Sequence, residues 1–249
     1  MKNQKNKNMK SKYFTVEVKP TIAASKQALA AFSDGDLLFD WTSFQVPRGP
    51  CKLVNATIIS KSADGAVNSH ALNLYFAKSR SKIAPVTLGV IHATALGATT
   101  SSNEIIGACQ SEEADTFVGL DHLTIQSAKT ISPNMVLEAE PNSGDTVGLD
   151  TLYVGGISVD GTPTFASTVQ CDGIQATSQA VLTVKTSNAD DVFAIGDVLH
   201  DENDRALGTV KSIDSATQMT MTANLANATV NNKDVYCINP IKLILSFEK

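Results

Sequence analysis

The stretch His70 to Lys78, HALNLYFAK, shows the clearest alternation of apolar and polar side chains in the sequence. Successive side chains of an extended chain point to opposite faces, so Leu72, Leu74 and Phe76 share one face and the residues between them share the other. The pattern predicts a half-buried strand in the middle of a sheet. We expect Leu72, Leu74 and Phe76 to be buried and His70 to have no catalytic role.

Short apolar or alternating runs recur roughly every ten residues on both sides of this stretch. Turn signals such as Ser33-Asp34-Gly35-Asp36 and Asp64-Gly65 separate them, and the second of these predicts a hairpin. Further strands are predicted at residues 13–18, 37–41, 51–60, 105–109, 117–120, 123–127, 136–139 and 152–159. This spacing predicts an all-β protein with an antiparallel, jelly-roll-like β-sandwich. Residues 21–32 form either a short helix or an irregular segment, and their alanine content favours the helix.

The sequence changes in character near residue 166, where short strands and polar turns follow one another more closely. Strands are predicted at residues 181–186, 197–199, 207–213, 219–223 and 235–238. The second and third of these form a hairpin whose tip is residues 201–204. Such a succession predicts a small β-barrel or meander near the C-terminus.

The final strand, IKLILSF at residues 241–247, is strongly apolar and places Ile241, Leu243, Leu245 and Phe247 on one face. An apolar strand at an open edge would promote aggregation, so we expect this strand to have partners on both sides. The preferred arrangement returns it to the sandwich. The sandwich domain then consists of residues 13–167 plus 239–249, residues 168–238 form an inserted small β module, and residues 1–12 form an arm. Two domains packed in sequence are the alternative.

The composition favours contact with other proteins over contact with nucleic acid. Apolar residues make up 43% of the 249 residues and charged residues only 18%, below the usual share of about 25%. Nucleic-acid binding would require a basic stripe with interleaved aromatic residues. The chain without its first lysines carries 15 basic and 25 acidic residues, a net charge of −10. We therefore expect no nucleic-acid partner.

The N-terminal arm carries the opposite charge. Five lysines precede the first acidic residue, Glu17, and they are Lys2, Lys5, Lys7, Lys10 and Lys12. Low hydrophobicity and charge of one sign are typical of a solvated tail. The alternative is an arm that lies on the acidic surface of a neighbouring protein.

The cysteines and the hydropathy pattern limit other classes. Cys51, Cys109, Cys171 and Cys237 lie far apart without a CxxC pair, so we expect reduced, buried thiols rather than a zinc site or a disulfide framework. No apolar run approaches the roughly 18 residues that cross a bilayer. The N-terminal lysines are not followed by an apolar segment. We expect a soluble protein without a secretion signal and without a membrane partner.

Two regions carry a resemblance to a known class of proteins. The first is the strand HALNLYFAKS at residues 70–79, a following loop of proline and small residues, and LDTLYVGGISVDGTPTF at residues 149–165. The second, residues 193–236, contains Gly196-Asp197-Val198, an acidic turn and a Thr-rich strand. The whole is similar to structural proteins of tailed-bacteriophage virions, and among these it most resembles capsid decoration (cement) proteins.

The resemblance implies a non-enzymatic protein that stabilises a phage capsid by bridging neighbouring capsid subunits. Its partners would be the major capsid protein and copies of itself, and it would be made in the host cytoplasm and lie on the outer surface of the virion. The lysine arm is the candidate capsid-contact segment. Trp41, with Phe39 and Phe44 nearby, is the candidate interface anchor, although a lone tryptophan in an alternating strand is more often a core residue.

No catalytic, cofactor or metal site is predicted. His70, His92, His122 and His200 are dispersed, and Asp121, His122 and Ser127 lack the GxSxG elbow of a hydrolase. Asp201, Asn203 and Asp204 resemble the start of a calcium loop, but Arg205 replaces a ligand and the central Gly and the final Glu are missing. Gly155-Gly156 lacks the Lys-Ser/Thr of a phosphate loop. We expect a solvated hairpin tip and no cofactor.

One alternative function remains open at the level of sequence. A head-fibre or tail-associated adhesin that binds a host glycan would need exposed aromatic side chains that stack on sugars. Tyr153, Phe165 and Tyr236 are the candidates for this role.

Overall fold

The computed structural model describes residues 13–61, 71–94, 102–112, 116–120, 123–131, 134–159, 162–165, 167, 169–185 and 189–249. The described chain is almost entirely β-structure, arranged as a large antiparallel sheet and a second, smaller sheet. The strands of the large sheet are β1 (Tyr13–Val18), β2 (Leu37–Pro47), β3 (Cys51–Lys61), β4 (Leu72–Lys78), β5 (Glu104–Ser111), β6 (Thr116–Leu120), β7 (Leu123–Thr130), β8 (Val136–Leu137), β9 (Leu149–Ser158) and β15 (Ile241–Glu248).

Eight of these strands form a jelly roll. Their order is β1-β15-β3-β7-β5-β4-β9-β2, with every pair antiparallel, while β6 pairs with β7 and β8 pairs with β3. The first four strands of this order form one face of the sandwich and the last four form the other. When the eight strands are renumbered one to eight in chain order, the two faces read 1-8-3-6 and 5-4-7-2, which is the strand order of a jelly roll. The prediction of an all-β, jelly-roll-like sandwich is therefore confirmed.

The two faces are joined along one side and nearly meet along the other. Cys109 and Gln110 of β5 pair with Thr130 and Lys129 of β7, which links the faces. The edge strands β1 and β2 lie beside each other on the opposite side. The sheet is therefore almost closed into a barrel, an arrangement that protects most of its strand edges.

Strand β4 occupies the central position that its alternation predicts. It lies between β5 and β9, and Leu72, Leu74 and Phe76 are each 0% exposed. The face assignment is confirmed. His70 lies outside the described residues, as does the turn Asp64-Gly65 predicted between β3 and β4.

The last strand returns to the jelly roll, as predicted. β15 lies between β1 and β3, and Ile241, Leu243, Leu245 and Phe247 are all 0% exposed. Burial of one large aliphatic or aromatic side chain is worth roughly 1.5 to 3 kcal/mol. The strand that comes last in the chain therefore contributes strongly to a core whose other strands precede residue 159.

The glycine pair of β9 lets bulky side chains approach the sheet from both faces. A Cβ atom on Gly156 would lie 2.3 Å from Phe39 inside the barrel, and one on Gly155 would lie 2.5 Å from Leu88 on the outside. The neighbouring strand β2 has an irregular register with β9 between Phe39 and Thr42, and this irregularity positions the ring of Phe39 against Gly156. The two glycines thus serve close side-chain packing.

The second sheet has the strands β10 (Val181–Thr183), β11 (Val198–Asp201), β12 (Ala206–Ser215), β13 (Gln218–Met221) and β14 (Val235–Cys237), in the order β10-β13-β12-β11-β14. β11, β12 and β13 form the predicted meander. We call this part the C-terminal module. It has a core of its own, which includes Leu199, Leu207 and Met219, and a single-turn helix, α2 (Ala189–Val192).

The chain after β1 connects the jelly roll to the C-terminal module. The predicted helix of residues 21–32 is a single turn, α1 (Ala24–Gln27), which begins without a side-chain cap. Gln27 is 3% exposed, and its Nε2 donates to the carbonyls of Ile22 and Cys237 at 2.7 and 2.9 Å. The amide of Ile22 also donates to the carbonyl of Ile238. This segment therefore ties the jelly roll to the last strand of the module, β14, and to the residue that follows it.

Candidate interaction surfaces

A groove lies between the outer face of the jelly roll and the C-terminal module. Its cavity volume is about 270 Å³. Ile59 of β3 and Ile125 of β7 form its floor, Ile195 and Asp197 belong to the module side, and Pro240 lies at the junction. We call this feature the interlobe groove. An apolar floor with a few charged groups on the rim suits a protein or ligand contact.

Cross-strand pairing places the apolar floor of the groove in one row. Ile59 is opposite Ile125, and Ile125 is opposite Phe117 of β6. Phe117 is 71% exposed although it is aromatic. A directly opposed row on one face forms a continuous apolar strip.

The rim of the groove carries more positive than negative charge. Lys61 forms an ion pair with Asp197 across the junction. Lys19 and Lys242 share one carboxylate, that of Glu17, at 3.2 and 3.9 Å. These groups leave an excess of one positive charge at this spot of an otherwise acidic body, so the rim favours a negatively charged partner group.

A second surface crosses the outer face of the other half of the jelly roll. Residues 83–90 run without regular secondary structure over β2 and β9, and we call them the strap. Ile83, Val86 and Val90 on the strap are 70%, 49% and 59% exposed, whereas Leu88 is 1% exposed and packs against Gly155. The strap thus buries the side chain of Leu88 against the outer face of the sheet and exposes its three other large apolar side chains to solvent.

Side chains of the jelly roll hold the strap in place. Trp41 Nε1 donates to the carbonyl of Val86 at 2.9 Å, and Asp40 Oδ1 accepts from the amide of Leu88 at 2.8 Å. Asn103 accepts from the amide of Val86 and donates to its carbonyl, at 2.7 and 2.8 Å. The strap is therefore pinned at its middle although it has no sheet partner there.

The three predicted interface anchors have different locations. Phe39 is 0% exposed and Phe44 is 5% exposed, and Phe44 packs edge to face with Phe76 in the core. Side chains that are at most 5% exposed cannot anchor a partner, so the interpretation of Phe39 and Phe44 as anchors is wrong. Trp41 is half-buried, and its indole is used to hold the strap.

Most of the other residues predicted to contact a partner are either outside the described residues or buried. Lys2, Lys5, Lys7, Lys10 and Lys12 lie outside the described residues. Of the proposed sugar-stacking residues, Phe165 is 4% exposed and packs edge to face with Phe32, and Tyr236 is 3% exposed. Only Tyr153 is partly exposed, and burial together with the nearby Asp145 raises the pKa of its phenol. The three aromatics therefore form no exposed cluster.

The two histidines within the described residues have separate surroundings. His92 packs against Phe32 with ring centroids 4.3 Å apart, and its Nε2 lies 2.5 Å from the carbonyl oxygen of Ala30. His200 lies on β11 and pairs with Tyr236 of β14. His122 and Asp121 lie outside the described residues.

The turn that resembles a calcium loop is a hydrogen-bonded hairpin. Asp201 is 1% exposed, its Oδ1 accepts from the amides of Asn203 and Arg205 at 3.0 Å, and its Oδ2 accepts from Arg205 Nε at 2.8 Å. Asp204 Oδ1 accepts from the amide of Ser25 in α1. The predicted tip is at the correct position, but it is docked rather than freely solvated.

The four cysteines are free and buried, as predicted. Burial raises the pKa of Cys109 to about 12 and that of Cys51, Cys171 and Cys237 to about 11. Within the described part of the chain, no group of three His, Cys, Asp or Glu side chains is placed to hold a metal ion. No helix of the described chain is long and apolar enough to cross a membrane.

Both surfaces were missed at the level of sequence because each is assembled from distant segments. Ile59, Leu123 and Ile195 reach the groove from β3, β7 and a turn of the module. The only local signal of the groove was Ile195, which precedes Gly196 in a turn. An apolar side chain in a turn has no core to enter and therefore indicates a surface contact.

Comparison of the chain with protein-family models finds no matching family, and comparison with curated proteins finds no matching sequence.

Proposed function

We propose that this protein is a non-enzymatic structural protein that decorates the outer surface of a tailed-phage capsid. It would stabilise the capsid by bridging neighbouring subunits of the major capsid protein. The exposed aliphatic side of the strap carries the proposal. Ile83, Val86 and Val90 all face outward from one short segment, and contiguous apolar side chains with a polar rim are typical of protein interfaces.

The rigidity of the strap supports a role in binding. A mobile loop loses conformational freedom when it binds, and this loss weakens the complex. Here Trp41, Asp40 and Asn103 fix the strap before any partner arrives. The surface is therefore preorganised for contact with a partner of complementary shape.

The lysine arm adds an electrostatic contribution to the proposal. Five lysines and no acidic residue occupy the first twelve positions. On an acidic capsid surface such an arm would speed association and strengthen attachment at low salt. The adhesin alternative depends on three aromatic residues of which Phe165 and Tyr236 are buried, so we prefer the structural function.

Capsids that lack this protein provide the test. Purified protein should co-sediment with them and raise the temperature at which they release their contents. Val90→Asp should weaken binding by about 10- to 100-fold, because it removes a buried valine contact from the interface. Ile174→Asp is the matched control, since Ile174 is 80% exposed on the C-terminal module. No binding by the wild type, with equally stable capsids in its absence, would overturn the proposal.

A further inference from the structure

We propose that the interlobe groove binds the Val147 turn of a second copy of this chain, so that copies associate head to tail. The inference goes beyond the proposed function, because it names a contact between copies of this chain and the two surfaces that form it. It concerns the groove and not the strap, which leaves the strap available for the capsid.

Val147 is an almost fully exposed apolar side chain at the tip of a turn. It is 96% exposed, the highest value of any large hydrophobic residue in the described chain. The turn closes by a hydrogen bond from the amide of Leu149 to the carbonyl of Thr146, and Gly148 supplies the positive φ of +90° that it requires. We call residues 145–148 the knob.

The base of the knob is rigid. Asp150 is 2% exposed, and its Oδ1 accepts from the amide of Asn142 at 2.8 Å. Ser143 Oγ accepts from the amide of Thr151, and Thr151 Oγ1 donates to the carbonyl of Ser143, both at 2.9 Å. An exposed valine on a loop held in this way costs little further ordering when it is buried in a partner.

The groove offers a complementary site. Its floor of Ile59 and Ile125 and its wall of Ile195 are apolar, and its volume of about 270 Å³ accommodates a valine side chain with part of its turn. Asp145 lies two residues before Val147 and is exposed. A knob in the groove brings this carboxylate to a rim where Lys19 and Lys242 share a single carboxylate of their own chain.

The knob and the groove lie at opposite ends of the jelly roll. β3 begins at Cys51, near the end where Leu149 pairs with Pro47, and it ends at Lys61, which lines the groove. Its ten steps of about 3.3 Å place the two ends roughly 33 Å apart. One copy therefore cannot fill its own groove. If each pair of copies makes the contact once, it is heterologous and generates a ring or an open chain, whereas a reciprocal contact about a two-fold axis would close a dimer.

Two complementary variants test this geometry. Val147→Asp places a charge at the tip of the knob and leaves the groove unchanged. Ile195→Glu places a negative charge on the groove wall, where it repels Asp145 of the second copy, and leaves the knob unchanged. Both side chains are largely exposed, at 96% and 71%, so both variants should fold with wild-type circular dichroism and Tm. Sedimentation velocity should show concentration-dependent assembly of the wild type and about 10- to 100-fold weaker assembly of each variant.

Mixing the two variants gives the decisive measurement. In an equimolar mixture, the intact knob of the Ile195→Glu variant can bind the intact groove of the Val147→Asp variant. The other knob and the other groove of this pair are disrupted, so the mixture should form one-to-one dimers and nothing larger. A closed two-fold dimer, in which each knob fills the groove of the other copy, would overturn the head-to-tail arrangement, and a wild type that forms nothing larger than a dimer would identify it. Should Ile195→Glu fold poorly, Lys242→Glu together with Asp145→Lys tests the same contact, because each single charge reversal should weaken assembly and the pair should restore it.

Val90→Asp serves as the control for self-association, since Val90 lies on the strap and outside both the knob and the groove. It should assemble like the wild type even if it no longer binds capsids. A wild type that stays monomeric at every concentration, or a mixture that stays monomeric, would overturn the head-to-tail contact. Because these measurements use purified protein without capsids, their failure would leave the capsid proposal standing, and the reverse also holds.

Discussion

Replacement of Gly156 by alanine tests how tightly the jelly-roll core is packed. The added Cβ atom would lie 2.3 Å from Cε1 and 2.4 Å from Cζ of Phe39, whereas ordinary contact begins near 3.4 Å. The ring of Phe39 is 0% exposed, and protein interiors are packed so densely that a buried ring has little room to move. Overpacking a dense core costs about 1 to 3 kcal/mol. At about 2 to 4 °C per kcal/mol for a chain of this size, Tm should fall by about 2 to 12 °C.

The neighbouring glycine provides the matched control. A Cβ atom on Gly155 would meet Leu88 Cδ1 at 2.5 Å and Trp41 Cε3 at 3.3 Å. Although the backbone of the strap is pinned, Cδ1 is the far end of a flexible aliphatic side chain and can move by rotation of that side chain. Gly155→Ala should therefore cost less than Gly156→Ala in urea unfolding and in calorimetry. Phe39→Leu should offset part of the loss caused by Gly156→Ala, with a coupling energy of about 0.5 to 3 kcal/mol. Equal losses for the two alanine variants, or strictly additive effects in the double variant, would refute the packing argument.

Three further predictions concern the polar and titratable groups. Gln27→Ala removes two side-chain hydrogen bonds to buried carbonyls and should lower the unfolding free energy by about 1 to 3 kcal/mol, with Gln27→Glu as a shape-matched comparison in urea unfolding. Asp201→Ala should destabilise the protein by a similar amount, because Arg205 and two amides lose their acceptor, and the Tm of the wild type should not change when calcium is added. Burial raises the pKa values of Cys51 and Cys109, so on raising the pH these thiols ionise in the unfolded chain before they ionise in the folded one. Their contribution to the free energy of unfolding is therefore fully present below about pH 8.5 and is lost as the pH rises through the pKa values of the folded state. Unfolding midpoints at neutral pH and near pH 10 check this, and serine variants at both positions should flatten the decline.

The strands and their buried faces were predictable because both depend on local pattern. Leu72, Leu74 and Phe76 alternate with polar residues, and a period of two can be satisfied only by an extended chain with one buried face. The apolar final strand required partners on both sides, and it has them in β1 and β3. The turn signals between the runs located the hairpin of β11 and β12 for the same local reason.

The roles of the aromatic side chains could not be predicted in this way. Phe39 and Phe44 flank Trp41 in a strand with no clear alternation, so nothing local distinguished core from surface. An irregularity in β2 puts Phe39 against Gly156 and Trp41 against the strap. That choice depends on which strand lies opposite, and β9 lies about a hundred residues away. The interface prediction failed there because exposure is a property of the assembled sheet.

By itself, the sequence determined that this is an all-β protein with an apolar closing strand, buried thiols and a lysine-rich arm ahead of an acidic body. Those properties follow from side-chain period, residue type and charge, which each segment carries alone. Only the tertiary structure decided the jelly-roll strand order, the pinning of the strap, and the placement of Val147 and the interlobe groove at opposite ends. These depend on pairing between distant strands, and a local pattern fixes which face of a strand is buried without specifying which strand lies beside it.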